Sequence, residues 1–329
     1  MKMCFIGLRG HHGYTIEGLK QLPEIEVPAI SPGCGDDISS LHGKLKEIGR
    51  DARMISDWRK MLDDEKPEML CIDGPFDLHA EMCVESLKRG IHAFCEKPIA
   101  LTIEDLDRVR KEYSKVKGIH LSSMVGLRYD PAFMTAWKQV KAGAIGKVKL
   151  ITTQKSYSLG KRPDFFKKRS TYGGTIPWVG SHSIDWTYWF SGSKFKSVYA
   201  HHDSSDNFDQ GDMEITALFM FEMQNGVLAS GNIDYLRPKA AKTHGDDRVR
   251  IAGTEGVIEV MDKKVTLIDK NGTRQLDAVA DRQIFVDFVM HIQGKSKSLV
   301  DAEQTFDLTE ACLLARESAD TGKVIKFGK

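Results

Sequence analysis

Apolar, strand-like runs alternate with helix-like stretches through the first third of the chain. The strand-like runs are short and rich in Ile, Val, Met, Phe and Cys, and they lie at residues 3–6, 27–31, 69–72 and 91–95. Stretches with helical periodicity follow them at residues 14–21, 41–48, 78–89 and 102–116. Strands that alternate with helices at this spacing predict an α/β domain built on a parallel, doubly wound sheet.

The pattern changes near residue 125, where longer strand-like runs take over. They lie at residues 148–154, 198–201, 215–221, 227–233, 249–251 and 257–260, and Asn225-Gly226 and Asn271-Gly272 are typical hairpin turns. Helical stretches occur at residues 131–142, 283–293 and 302–321. This part therefore predicts an α+β domain on a mainly antiparallel sheet, with domains at residues 1–125 and 126–329.

Charge and composition exclude several classes of protein. Lys and Arg number 47 against 46 Asp and Glu, a net charge of +1, so no nucleic-acid or membrane partner is expected. No run approaches the roughly 18 apolar residues of a membrane helix, and no apolar stretch at the N-terminus is long enough to suggest a signal peptide. The six cysteines form no C-x-x-C pair and mostly lie in apolar runs. These observations predict a soluble, cytoplasmic protein.

The tetrad Cys95-Glu96-Lys97-Pro98 stands where a predicted strand opens into a helix. Open α/β sheets place their ligands at this end of their strands, so Lys97 is a candidate catalytic residue. A lysine held there can exchange a proton with a substrate oxygen. The alternative is an ordinary surface lysine in a strand-to-helix loop.

The turn after the first strand is glycine-rich, as in dinucleotide-binding domains of the Rossmann type. Its sequence, Gly7-Leu8-Arg9-Gly10-His11-His12, departs from the G-x-G-x-x-G fingerprint at Arg9 and His12. The acid that usually follows the second strand is also missing. Ser31 stands there instead, and because it does not repel a 2′-phosphate, NADP is as plausible as NAD. A domain that has lost its cofactor is the alternative.

Several motifs in order along the chain carry a wider resemblance. They include the glycine turn, the Glu96-Lys97-Pro98 signature, Gly74-Pro75 with His79, Arg128-Tyr129-Asp130-Pro131 and the segment from Gly173 through His182 to Asp185. Together they make the whole chain resemble the Gfo/Idh/MocA family, the relatives of glucose–fructose oxidoreductase and inositol dehydrogenase.

This resemblance implies an enzyme, an NAD- or NADP-dependent dehydrogenase that transfers a hydride at a hydroxyl-bearing carbon of a sugar, cyclitol or related polyol. It also implies an open-faced second sheet that joins copies of the chain into a homodimer or homotetramer. No cluster has convincing metal-ligand spacing, so no metal is expected. The residues expected to bind the cofactor are Gly7, Leu8, Arg9, Gly10, His11, His12, Ser31, Gly74, Pro75, His79, Glu96 and Lys97.

In the family, the lysine that matches Lys97 touches the nicotinamide ribose and the reacting hydroxyl, and the histidine that matches His182 is the acid–base or its partner. The family aspartate four residues before that histidine is Trp178 here. An indole can stack on a sugar or pack the core, and Asp185 can reach His182 or anchor its helix. The predicted catalytic residues are Lys97 and His182, and the predicted substrate contacts are Arg128, Tyr157, Tyr172, Trp178 and Asp185.

Two other functions remain open from the sequence. Some members of the family oxidise a sugar transiently, eliminate its substituent and reduce it again, which makes them redox-neutral lyases or glycosidases. The altered glycine turn and the missing aspartate also fit a non-catalytic ligand-binding protein.

Overall fold

Six parallel strands form the sheet of the first compact unit in this computed structural model, which describes residues 1–328. Their order across the sheet is β3-β2-β1-β4-β5-β6, so the direction of winding reverses between β1 and β4. Such a reversal opens a crevice at the carboxyl ends of the two strands. The predicted doubly wound sheet is confirmed. The strands are β1 Lys2–Gly7, β2 Glu26–Ser31, β3 Arg53–Met54, β4 Met69–Asp73, β5 His92–Cys95 and β6 Leu121–Ser123.

Five helices connect these strands. The sequence signals for several of them are borne out: the Thr102 hydroxyl accepts a hydrogen bond from the Asp105 amide and caps α5. Helix α3, which the sequence analysis did not identify, is capped by the Asp57 side chain. The helices are α1 His12–Leu19, α2 Ser39–Glu47, α3 Trp58–Glu65, α4 His79–Lys88 and α5 Ile103–Tyr113.

The second unit is built on a nine-stranded sheet in the order β14-β13-β12-β11-β7-β10-β9-β8-β15. All neighbours are antiparallel except β7 and β10. Both predicted Asn-Gly turns are confirmed, between β9 and β10 and between β13 and β14. The strands are β7 Val148–Tyr157, β8 Phe195–Asp203, β9 Thr216–Met223, β10 Leu228–Asp234, β11 Gly245–Gly253, β12 Gly256–Met261, β13 Lys264–Asp269, β14 Gly272–Leu276 and β15 Ile325–Lys326.

Helices cover one face of this second sheet. Alternate residues of the central strands, such as Phe219 and Phe221, are buried, whereas Leu218 and Met220 between them are exposed. Thr153 on β7 and Ser183 lie 2.5 Å apart through their hydroxyl oxygens, which fixes the central covering helix on the sheet. The helices of this part are α6 Pro131–Lys141, α7 Arg169–Tyr172, a π-helical turn Ile176–Gly180 and α8 Ser181–Ser191.

Two helices follow late in the chain, α9 Ile284–Ile292 and α10 Ala302–Thr321. The first compact unit comprises Met1–Gly126 and Arg282–Phe306, and the second comprises Leu127–Asp281 and Asp307–Lys329. The sequence analysis assigned all of 282–306 to the second domain. The physical reason for the difference is that Phe285 and Phe288 pack against Phe94 of β5, with ring centroids 5.6 and 5.2 Å away.

Within residues 1–328, no helix combines the length and the apolar character needed to cross a bilayer.

Candidate active site

Two glycines, Gly7 and Gly74, lie at the carboxyl ends of β1 and β4, where the crevice of the first unit opens. Gly7 ends β1 with φ +76°, and a Cβ there would collide with the carbonyl oxygen of Asp73, the residue opposite it on β4. A Cβ on buried Gly74 would lie 2.8 Å from the Met82 methyl carbon. Because glycines have no side chain, the backbone is accessible where the winding reverses between β1 and β4. This arrangement lets a dinucleotide phosphate approach the backbone closely. The residues present fit such a group.

Arg9, which replaces a fingerprint glycine, binds an acid from the next loop. Its guanidinium holds the Asp36 carboxylate through two contacts, Nε–Oδ2 at 2.5 Å and Nη2–Oδ1 at 2.8 Å. The hydrogen bond from Arg9 lowers the pKa of Asp36, so the carboxylate stays ionised. Asp36 lies beyond the end of β2 and was missed in the sequence because the acid was expected directly after the strand. Asp36 is therefore an acidic residue after β2, although it lies further along the chain than the expected position.

The carboxylate of Glu96 lies at the N-terminal end of helix α1. Its Oε2 accepts hydrogen bonds from the His11 amide at 2.5 Å and lies 2.7 Å from the His11 ring Nδ1. The Glu96 side chain is fully buried, whereas the His11 side chain is 34% exposed. An amide that is available to a phosphate in other Rossmann domains is thus held here by an internal carboxylate.

A second acid, Asp73, is buried under the same turn. A Cβ on Gly10 would collide with both the Glu96 carboxylate and the Asp73 carboxyl, so Gly10 is required by these two acids. The Asp73 Oδ2 accepts from the Cys71 thiol at 3.3 Å. Burial, followed by the charge of Glu96, raises the pKa of Asp73 well above its usual value.

Two other predicted cofactor residues, Ser31 and His79, make their hydrogen bonds inside the protein. Ser31 is fully buried and its hydroxyl donates to the Ser56 carbonyl. His79 is also fully buried, with Nδ1 2.8 Å from the Pro98 carbonyl oxygen and Nε2 3.1 Å from that of Gly74. The ring thus ties the turn after β4 to the loop after β5.

Leu8 and Pro75 complete the predicted cofactor set, and both lie in turns at the strand ends. Leu8 is half-buried after β1, and Pro75 is buried after β4. His12 is buried as well, with Nε2 3.1 Å from the Lys44 ammonium. Burial, with a contribution from Lys44, lowers the pKa of His12.

Lys97 lies two residues past the end of β5, and its side chain is 4% exposed. Its Nζ is 3.9 Å from Glu96 Oε1, and its amide donates to the same oxygen at 3.0 Å. A surface lysine, the alternative considered for the sequence, is thereby ruled out. The structure brings Lys97, Glu96 and His11 into one cluster of the first unit.

In the second unit, Arg128 and Asp185 bind each other. Arg128 Nε lies 3.0 Å from both carboxylate oxygens and Nη2 lies 2.6 Å from Oδ1, and both side chains are 1% exposed. Burial raises the pKa of Asp185 above its usual value, and the Arg128 guanidinium offsets only part of that rise. The Arg128–Asp185 pair anchors α8, in which His182 is the second residue.

The residues before His182 form a buried aromatic group. Trp178 lies in the π-helical turn, is 8% exposed and meets the Phe166 ring edge-on at 6.0 Å. Tyr172 is buried, with its hydroxyl 2.8 Å from that of Tyr235, and burial raises its pKa. His182 itself is 3% exposed. Single-turn π-helices occur frequently at functional sites, so the turn Ile176–Gly180 is a candidate part of the active site.

Tyr157 ends β7 beside a buried lysine that the sequence analysis overlooked. Lys155 Nζ is 4.6 Å from the centre of the Tyr157 ring and 2.6 Å from Asp247 Oδ2. Lys155 is 1% exposed, and burial lowers its pKa despite the paired carboxylate. The available signal was a lysine at an inward position of a strand whose alternate residues are apolar or hydroxylated.

Comparisons with known proteins agree with this architecture. Residues 133–259 match the GFO/IDH/MocA C-terminal domain, and residues 45–122 match the oxidoreductase family with an NAD-binding Rossmann fold. A Thermotoga maritima structure described as an oxidoreductase superposes with a TM-score of 0.96 at 47% identity, covering 99% of this chain and 100% of that one.

Two curated dehydrogenases are more distant relatives. Myo-inositol 2-dehydrogenase of Thermotoga maritima is 26% identical over 83% of this chain and 80% of its own length. The scyllo-inositol 2-dehydrogenase (NAD(+)) of Bacillus subtilis is 26% identical over 92% of this chain and 90% of its own. The resemblance noted in the sequence is confirmed: the chain belongs to the Gfo/Idh/MocA family of NAD-binding oxidoreductases.

Proposed function

We propose that this protein is a dehydrogenase that oxidises a ring hydroxyl of a cyclitol or sugar, with NAD as hydride acceptor. The observation that carries the proposal is the buried Lys97 at the end of β5, on the same sheet edge as the bare glycine turn. The names of the inositol dehydrogenases among its relatives support the substrate class.

In this proposal, Lys97 takes the proton of the substrate hydroxyl as the carbinol carbon is oxidised. When NAD is bound, its nicotinamide ring would accept the hydride. The Glu96 carboxylate orients the lysine, because it holds the Lys97 amide and lies close to the ammonium. His79 positions the following loop through the Pro98 carbonyl.

His182 and Trp178 are the proposed substrate residues of the second unit. The Arg128–Asp185 pair fixes α8, so we assign these two residues to positioning His182 rather than to contact with the substrate. Trp178 stands four residues before His182, at the position of the family aspartate. Trp178 then offers an apolar surface for the face of a sugar ring.

The preference for NAD over NADP is inferred from the Arg9–Asp36 pair. A 2′-phosphate near Asp36 would meet a carboxylate whose ionised form Arg9 stabilises, and Arg9 is already neutralised by that contact. The negative charges of the Asp36 carboxylate and of a nearby 2′-phosphate would repel each other, which disfavours NADP.

Self-association through the second sheet is the proposed assembly, as a homodimer or homotetramer. The face opposite the helices exposes large apolar side chains, which would promote aggregation if no partner covered them. Solution mass measurements at micromolar protein test this, and a monomer would contradict it. The exposed side chains are Leu150, Leu218, Met220, Leu228 and Met261. A cytoplasmic location also stays a prediction, supported by cysteines that are all free thiols among the residues described.

The test begins with calorimetric titration of NAD and NADP, followed by NADH formation with myo-inositol, scyllo-inositol and D-glucose. Lys97→Ala should lower turnover by about 10²–10⁴-fold, the usual contribution of a general acid–base group. His182→Ala should also lower it, though less. Lys88→Ala removes an exposed lysine of α4 and serves as the matched control.

The outcomes separate the competing functions. Failure to bind either nucleotide at millimolar concentration would leave only the non-catalytic reading. Tight retention of NAD with sugar turnover but no net NADH would indicate a redox-neutral lyase or glycosidase. Near wild-type turnover in Lys97→Ala would refute the catalytic assignment of this lysine.

A further inference from the structure

The guanidinium of Arg162 lies among aromatic rings of the second unit. Its Cζ is 4.8 Å from the centre of the Tyr235 ring and 5.3 Å from that of the Phe166 ring. Arg162 lies in the segment 161–169, which follows β7 and holds five basic residues and one acid. We infer that Arg162 binds a carboxylate of the substrate, so that the sugar oxidised by this protein is a sugar acid of the hexuronate class.

Arg162 has a buried donor that the protein itself leaves unsatisfied. The side chain is half-buried, and its Nε–H has no hydrogen-bond acceptor among the residues described. A buried charged donor without an acceptor costs free energy, and a ligand that supplies the acceptor removes that cost. Because a guanidinium stacks on aromatic faces and directs its N–H groups outward in one plane, it matches the two oxygens of a carboxylate.

Acidic side chains of the same region are bound to other cations. Asp164, two positions along the chain, lies 3.0 Å from a lysine ammonium, and Asp247 lies 2.6 Å from another. Arg162 takes part in no ion pair within residues 1–328. An anion from outside the protein can therefore bind it without displacing an internal one. The three neighbouring pairs are Asp164–Lys167, Asp247–Lys155 and Glu214–Arg169.

The rings around Arg162 connect it to the predicted substrate residues. The Tyr235 hydroxyl is 2.8 Å from that of Tyr172, and the Phe166 ring meets Trp178 edge-on at 6.0 Å. Burial raises the pKa of Tyr235 to about 12, and the nearby charge of Arg162 opposes that rise. Arg162 thus belongs to the same aromatic group as Tyr172 and Trp178.

A carboxylate suits this site better than a phosphate does. A phosphate group carries about −1.5 to −2 charges near neutral pH, whereas Arg162 supplies a single positive charge. The other buried cation of the region, Lys155, is neutralised by Asp247, and burial lowers its pKa. The aromatic rings offer apolar surface for the face of a sugar ring. The ring hydroxyls of a hexuronate are the groups that the proposed function oxidises, and the inference rests on that function.

The test compares ligands that differ only in charge. D-glucuronate and D-galacturonate are titrated calorimetrically into the full chain with NADH present, and each is compared with its neutral amide, D-glucuronamide or D-galacturonamide. NADH is used because it cannot accept a hydride, so that binding is measured without oxidation of the sugar. At least one uronate should bind about 10–100-fold more tightly than its amide, the range expected for a hydrogen-bonded charged group.

Three variants assign that preference to Arg162. In Arg162→Gln the preference for the uronate over its amide should disappear, while the affinity for the amide is retained. Arg162→Lys keeps the charge without the planar fork, so it should recover part of the preference. Lys161→Gln removes the exposed cation next to it and should leave the preference unchanged. A merely structural role for Arg162 would weaken the binding of uronate and amide equally.

The outcomes distinguish this inference from the proposed function. Equal affinity for the uronates and their amides in the wild type would overturn it, as would a preference that survives in Arg162→Gln. Tighter binding of D-glucose 6-phosphate than of either uronate would overturn the carboxylate assignment in favour of a phosphate. Failure of the proposed function would instead appear as uronate binding that depends on Arg162, without NADH formation when NAD replaces NADH.

Discussion

Removing one partner of the Arg128–Asp185 pair should destabilise the second unit strongly. In Asp185→Asn the side chain keeps its shape but loses its charge, and the guanidinium stays in a site where it is 1% exposed. All three nitrogen–oxygen contacts of the pair, at 2.6 to 3.0 Å, are affected. Breaking a buried pair in this way costs about 3–5 kcal/mol, because an uncompensated charge is left in the core.

That cost converts to a measurable shift in melting temperature. A domain of roughly 150–250 residues loses about 2–4 °C per kcal/mol, so the transition of the second unit should fall by about 6–20 °C. Differential scanning calorimetry of the whole chain at neutral pH is the appropriate assay, since it resolves separate transitions when two units unfold independently.

Two further variants make the test specific to buried charge. Replacing both partners, Arg128→Met with Asp185→Leu, should recover most of the stability, because apolar side chains of similar volume need no counter-charge. Glu259→Gln breaks the exposed Arg250–Glu259 pair and should cost at most about 1 kcal/mol. A shift below about 2 °C in Asp185→Asn, near 1 kcal/mol or less, would refute the reasoning.

The remaining predictions concern the first unit. Burial lowers the pKa of His92 to about 4, below the value of 6.5 for a free histidine, so stability should fall as the pH drops from 6.5 towards 4. For this half-buried ring the loss should be about 1–2 kcal/mol, and denaturant titrations should show it absent in His92→Gln. Gly7→Ala should lower the melting temperature measurably, since φ is +76° and there is no room for a Cβ. Asp36→Asn should free Arg9 and raise the affinity for NADP relative to NAD by calorimetry; an unchanged ratio would contradict the proposed selectivity.

Much of the fold was predictable because its signals are local. The alternation of strands and helices, the Thr102 cap and the two Asn-Gly turns each depend on a few neighbouring residues. Local signals do not specify partners, however. The helix containing Phe285 has an apolar face, and the sequence analysis assigned that helix to the second domain although it packs in the first unit.

The candidate site was less accessible to sequence reasoning because its contacts join distant residues. Arg128 and Asp185 are 57 positions apart, and each resembles a substrate-binding residue until the ion pair is seen. Arg9 reaches an acid 27 positions away on a loop of irregular length. The roles of Lys97 and His182 in catalysis stay predictions.

The return of residues 282–306 to the first unit has a consequence for folding during synthesis. While the chain emerges from the ribosome, the six-stranded sheet can form early, but Phe94 has no aromatic cover until Phe285 and Phe288 have been made. The Tyr14 carbonyl likewise waits for the Gln283 side chain, which donates to it at 2.6 Å. The nascent first unit therefore exposes apolar surface throughout translation of the second, the interval in which chaperones bind such chains.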